Sequence, residues 1–226
     1  MAGLLIIFGT SGNVVKALLS SLCQEQTSQH PQPSLTSKRS LRIVTRDTRD
    51  GPTAETLGLR PEDWSVETVQ GSVTDPKETL VAALGGGRKV FCAFPQCLSS
   101  EQMVEHGRTF TEACAEARVA SIVHIASFGI DGCLSQGPLG DAHTDTEGYM
   151  KQLGLVVTSV RPTSFFSNFL KYDVPPLRAG ACFTSPLGNG AAARVNWIAC
   201  EGDHAARAAA PCGIPRRVGF GSRAQT

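Results

Sequence analysis

Charge of one sign is missing from this sequence: 21 Lys and Arg stand against 20 Asp and Glu over 226 residues. So small a net field gathers neither nucleic acid nor an anionic membrane surface. Long apolar runs are missing too. None approaches the roughly 20 residues of a membrane span. The opening Leu4–Phe8 run is too short, and lacks the basic flank, for a secretory h-region. Cysteines are present at 23, 92, 97, 114, 133, 182, 200 and 212, but without C-x-x-C spacing. Most fall in expected strands or helices, so reduced thiols in a core fit better than a disulfide framework, and no metal site is expected. Walker A, H-E-x-x-H, G-x-S-x-G and basic-aromatic RNA motifs are also absent, which removes kinase, metalloprotease, esterase and nucleic-acid readings. A soluble, cytoplasmic protein remains, long enough for one α/β domain with a substantial core.

What is present begins at the N-terminus. Leu4-Leu-Ile-Ile-Phe8 reads as a buried strand, and Val14, Val15, Leu18, Leu19 and Leu22 follow at helical spacing. Gly9-Thr10-Ser11-Gly12 joins them. A sharp turn there brings main-chain N–H groups and a helix N-terminus to one point, a geometry suited to a dinucleotide pyrophosphate. A tight turn in an α/β fold would leave the same trace, so the motif gains weight only from the rest of the chain.

Further strands are expected at 41–45, 64–70, 89–94, 121–126 and 155–160, and helices after Asp75, after Ser99 and over 143–153. Asp75-Pro-Lys-Glu78 reads as an N-cap, a first-turn proline and a capping-box glutamate. Ser99-Ser-Glu-Gln102 is a second capping box, leading a helix with Met103, Phe110, Ala113 and Ala117 on one face. Residues 24–40, rich in Gln, Ser, Thr and Pro, read as an inserted surface loop. Strands alternating with helices predict a doubly wound parallel sheet of about six strands. Ligands in such sheets sit beyond the strands' carboxyl ends. That places candidate cofactor contacts at Gly9, Thr10, Ser11, Gly12, Asn13 and Val14, at Arg46, at Ser72 and Val73, and at Phe94 and Pro95. Ser127 and 162–166 follow later strands.

These pieces resemble a known family. Gly9-x-x-Gly12, Val44-Thr-Arg46, Val69 to Asp75 and Ile122 to Ser127 are similar to the NmrA-like group of atypical short-chain dehydrogenases. So is the block His143-x3-Glu147-x6-Gly154-Leu-x2-Thr158-x2-Arg161-Pro-Thr-x-Phe165-x2-Asn168-Phe169. That block resembles the ergot-alkaloid (festuclavine and agroclavine type) dehydrogenases in particular. The resemblance implies a Rossmann-like fold and NAD(P) binding. It also implies either reductase activity on a small molecule or redox-sensing regulation through a protein partner. The sequence departs from the family at Val15, where a third glycine is usual, and at Ser72, where an aspartate usually follows the third strand. The likeness fades after Asp203-His-Ala-Ala206. The expected organisation is an NAD(P)-binding domain over 1–210 and an irregular tail over 211–226, with Arg216, Arg217 and Arg223 and no acid. That tail reads as a truncated or altered terminus in preference to a basic docking segment. Truncated substrate-side elements would leave apolar surface uncovered along the sixth strand.

Arg46 follows the second strand, where an acid would hold the ribose 2′-hydroxyl of NAD and an arginine suits the 2′-phosphate of NADP. NADP is therefore favoured, with NAD possible; an arginine balanced by Asp47 and Asp50 is the alternative. The Tyr-x3-Lys pair that protonates ketones in short-chain dehydrogenases is absent, because Leu153 stands four residues after Tyr149. His143, where many relatives carry lysine, and Ser127 are the candidate catalytic residues. A helix-terminal surface histidine and a turn-capping serine are the plainer readings. Without a strong proton donor, an iminium, enone or quinone suits hydride transfer better than a ketone. Asp131, Asp141 or Glu147 would serve as counter-charges, and Phe165 and Phe166 as pocket walls.

Overall fold

In the computed structural model Leu4–Phe8 forms β1 and is buried on both sides, Ile6 and Phe8 entering one apolar cluster and Ile7 the other. Burial on both faces requires a run without polar residues. β2 (Arg39–Thr45) and β3 (Trp64–Gln70) lie to one side of it; β4 (Gly87–Ala93), β5 (Ser121–Ile125) and β6 (Val157–Val160) lie to the other. The order is β3-β2-β1-β4-β5-β6 and every pairing is parallel. This is the Rossmann-like α/β fold, whose strand order reverses beside β1 and opens a crevice beyond the carboxyl ends there. The described residues are 3–10, 12–25, 38–49, 51–95, 97–127, 138–162, 164–168, 170, 174–180 and 197–198.

Helices cover both faces. α1 (Asn13–Glu25) packs Val15 and Leu19 against Ile7, Leu41 and Ile43. Val15, where the family pattern has glycine, is therefore a core side chain. On the opposite face α2 (Lys77–Leu84), α3 (Ser100–Glu116) and α4 (Pro138–Gln152) bury Leu80, Leu84, Met103, Phe110 and Met150 over Ile6, Phe8, Val90 and Ile122. Each such side chain contributes about 1.5–3 kcal/mol of burial.

Several boundaries move. Gln24 and Glu25 belong to α1, and Arg39 and Ser40 to β2, so the expected loop is shorter at both ends; its residues 26–37 lie outside the described set. Ser99 and Gln102 form the expected reciprocal capping box of α3. Asp75 does not cap α2. That helix starts on Pro76 without a side-chain cap, and the Asp75 carboxylate accepts from the Ser72 main-chain N–H at 2.8 Å. A turn one residue after β3 captures the carboxylate first.

The chain divides into residues 1–163 and 164–226. Among the described residues, the second unit pairs β7 (Ser164–Phe165) with β8 (Trp197–Ile198) in parallel and holds two short helices, α5 (Phe166–Asn168) and α6 (Val174–Arg178). Asp203 to Ala206 and the 211–226 tail lie outside the described residues. Among the described residues, Cys23, Cys92, Cys97 and Cys114 are free thiols, and no helix is long and apolar enough to cross a membrane.

Candidate functional site

The crevice is built first from glycine. Gly9 leaves β1 with φ +89°, a conformation that side chains rarely adopt, while its N–H donates to Val44 O at 2.8 Å. A Cβ added at Gly9 or at Gly12 would meet no protein atom within 4 Å. The space beside both glycines is open. α1 starts at Asn13, and its first carbonyl bond runs from Lys16 N to Gly12 O at 2.9 Å. A helix start presents main-chain N–H groups without intrahelical acceptors and a partial positive charge. Thr10 is half-buried beside it; Val14 packs against the core, and Ser11 lies outside the described residues.

The neighbouring strand ends supply the flanks. Arg46, immediately after β2, is exposed. Asp47 is not its counter-ion: both Asp47 oxygens are taken by Arg49, through Nη2 at 2.7 Å and through Nε and the main-chain N–H at 3.1 Å each. Asp50 lies outside the described residues. After β3, Gly71 is enforced by space, since a Cβ would come within 2.8 Å of Val44 Cγ1. The turn beyond it is knitted by Ser72, whose Oγ lies 3.0 Å from Thr74 Oγ1. Val73 and Phe94 point into the core and are buried, and Pro95 is half-buried. Phe94 packs edge-on against Phe110 and His124, each at 5.9 Å between centroids.

The structure revises the expectations for α4. This helix begins five residues before His143, so His143 is not a helix-terminal surface residue; it is buried, with its ring 5.5 Å from that of His124 on β5. His143 Nδ1 and both His124 ring nitrogens are buried without a hydrogen-bond partner among the described residues. Burial pushes the His124 pKa down to about 4, helped by His143 and opposed by Glu147. Burial also lowers that of His143, against the pull of Glu147. Both rings are therefore neutral at neutral pH. Glu147 is not available as a counter-charge for substrate, because Lys151 Nζ reaches it at 2.6 Å and Arg161 Nη2 at 2.9 and 3.0 Å. Burial opposes its ionisation, but hydrogen bonds from Lys151 and Arg161 outweigh burial and hold the carboxyl at about 2.

Tyr149 is turned onto α3, its hydroxyl on Glu112 Oε1 at 3.1 Å and the Arg108 guanidinium 5.3 Å over its ring. Asp141 is exposed and lines a groove of about 630 Å³ between α3 and α4. Ser127 is half-buried just past β5 and makes a contact of its own. Asp131 lies outside the described residues, as does the Phe166 side chain; Phe165 is half-buried in the second unit. The sequence reading missed His124, although a single polar residue inside Ile122-Val-His-Ile-Ala126 was a visible signal.

Comparison with known proteins places this geometry. The pattern of the NmrA-like family matches residues 1–205. Over 153 residues the chain is 32% identical to an NAD(P)H azoreductase of Xenophilus azovorans, covering 66% of this chain and 48% of that protein. The chain thus spans about half the length of that curated relative. Among solved structures, the triphenylmethane reductase of Citrobacter sp. complexed with NADP(H) superposes with TM-score 0.64 at 16% identity, covering 87% of this chain and 61% of that one. An NADPH-dependent quinone oxidoreductase of Escherichia coli, complexed with NADPH, gives 0.57 at 22% identity, covering 78% and 54%.

Proposed function

The chain belongs to the NmrA-like family, and from that premise we propose that it is an NADP(H)-preferring oxidoreductase acting on a small, largely apolar acceptor. The observation that carries the reading is the glycine cradle: Gly9 and Gly12 place no side chain in the open space over the first turn of α1, at the switch point of the sheet. A pyrophosphate suits that opening, and Arg46 beside it suits a 2′-phosphate. Thr10, Asn13 and the Ser72 turn would line the same cofactor, with Val14, Val73, Phe94 and Pro95 contributing main chain. NADPH, when bound, supplies hydride. The azoreductase, quinone oxidoreductase and triphenylmethane reductase named above support this class of chemistry.

The chain's own residues narrow the acceptor. Tyr149 is engaged on α3 and His143 is a buried neutral imidazole, so neither is a strong proton donor. A ketone needs such a donor as hydride arrives; an iminium already carries positive charge, and an enone or quinone spreads the arriving charge by conjugation. The likeness of the 143–169 block to ergot-alkaloid dehydrogenases supports the iminium case. His143 orients the acceptor and Ser127 holds it from the end of β5.

Fluorescence titration of the full chain with NADPH and NADH tests the reading. Tighter binding of NADPH is expected, and binding of neither overturns it. Gly12→Val is the informative variant, because a Cβ there enters open space and the fold should tolerate it. Filling the cradle should weaken NADPH by about tenfold or more, while losing the glycine N-cap costs no more than about 1 kcal/mol of stability. The withdrawal of Tyr149 favours one other reading, a non-catalytic NAD(P) sensor that binds a protein partner. Cofactor binding without turnover of imines, enones or quinones would select it.

A further inference from the structure

The turn after β2 runs Arg46-Asp47-Thr48-Arg49-Asp50, two cations and two acids at the place where an acid selects NAD and a cation selects NADP, with Asp50 outside the described residues. Sequence alone leaves that turn ambiguous, since Asp47 is as well placed in the chain as Arg46. We propose that Arg49 is the specificity-determining positioning residue of this turn: it occupies both oxygens of Asp47, so the acid neither accepts a ribose 2′-hydroxyl nor repels a 2′-phosphate, and Arg46 sets the preference. The inference rests on the cofactor reading above and deepens it.

Three hydrogen bonds make the capture. Arg49 Nη2 donates to Asp47 Oδ2 at 2.7 Å, Arg49 Nε donates to Oδ1 at 3.1 Å, and the Arg49 main-chain N–H donates to the same Oδ1 at 3.1 Å. The fork takes one oxygen on each arm, the bidentate match that lysine cannot make. The main-chain bond closes a local turn around the carboxylate, so the arrangement is set by two-residue spacing and needs no distant support. The same contacts hold the Asp47 carboxyl below the usual carboxylate range and keep it ionised and engaged. Arg46 has no ion pair among the described residues. Among the described residues of the turn, Asp47 is thus engaged and Arg46 is left as the cation facing outward.

Stability does not explain the pair. Its side chains are 87% and 59% exposed, and ion pairs so open to water contribute little to folding. Breaking it should leave the fold intact, which makes the inference testable by binding.

The test is a double-mutant cycle on the full chain, titrating NADPH and NADH at low ionic strength, where exposed charges are least screened. In Arg49→Ala the freed Asp47 carboxylate should lower the NADPH-over-NADH preference by about three- to tenfold. Asp47→Asn in the Arg49→Ala background should restore it, because the acid is then gone. Asp47→Asn alone should keep the wild-type preference. An unchanged preference in Arg49→Ala overturns the inference while leaving the cofactor reading in place. A double variant as weak as Arg49→Ala also overturns it, by showing that Arg49 acts on the phosphate directly. Binding of neither nucleotide by wild type and variants alike overturns both readings.

Discussion

His124 has no exposed surface, and neither of its ring nitrogens has a partner among the described residues. A buried polar group left so costs about 1–3 kcal/mol, and its environment also fixes how the fold answers acid. Its folded pKa of about 4 lies below the ordinary 6.5, so the unfolded chain binds the extra proton first. Stability is thus fully present above about pH 6.5 and is lost as pH falls toward 4, with His143 adding in the same direction. Glu147, held at about 2 against an ordinary 4.5, continues the loss at lower pH. Urea unfolding across this range should show a decline on the order of 3 kcal/mol from His124 alone. His124→Leu should flatten the upper part of that decline. An unchanged slope in the variant would show that the ring is not held neutral by burial. His124 and His143 were both visible as residues in the sequence, but their ring contact was not, because it needs β5 and α4 to be packed together. The opposite held for Asp47 and Arg49, two residues apart, where proximity was visible and the direction of pairing was not.

Elements were legible where local chemistry decided them. β3 falls at 64–70 as its pattern required, and the Ser99–Gln102 box starts α3 because its bonds are made within one turn. Prediction failed where a competing local partner existed, as when Ser72 drew Asp75 away from α2. The early start of α4 was obscured because Pro138, Gly140 and the polar residues after them carry little periodicity, and packing against α3 supplies what propensity does not. That packing depends on Gly107. A Cβ there would lie 2.4 Å from Thr146 Oγ1 and 2.8 Å from its Cγ2, and the β-branched side chain is further held by its bond to Ala142 O at 2.9 Å. Gly107→Ala gains about 1 kcal/mol of helix propensity, yet overpacking costs about 1–3 kcal/mol. A net loss of about 1 kcal/mol, the middle of the resulting range of about 0–2, is expected in chemical denaturation. Thr146→Ala in the same chain should recover most of it; equal stability of Gly107→Ala and wild type would mean the helices separate without cost.

At the scale of the whole molecule, alternation of strands and helices pointed to a parallel sheet, while the order β3-β2-β1-β4-β5-β6 follows from crossovers that no single segment encodes. That order leaves β6 at an edge of the six-stranded sheet. Val156, just before it, is 65% exposed and Val160, at its end, 43%, with Leu153 in the preceding turn at 40%. A strand edge bearing exposed apolar side chains invites pairing with another chain, which proteins usually counter with charge. Here exposed Val156 and Val160 flank Thr158 with no charge between them, so the isolated chain should self-associate through this edge as concentration rises. Val156→Lys combined with Val160→Lys should shift sedimentation toward the monomer, because like charges on two copies oppose edge-to-edge approach. Stability should change by no more than about 0.5 kcal/mol, as both sites face water. NADPH binding should persist, since the glycine cradle belongs to β1 and α1 at the middle of the sheet. Association that survives the double lysine variant would place the contact elsewhere, and the groove between α3 and α4 would be the next surface to test.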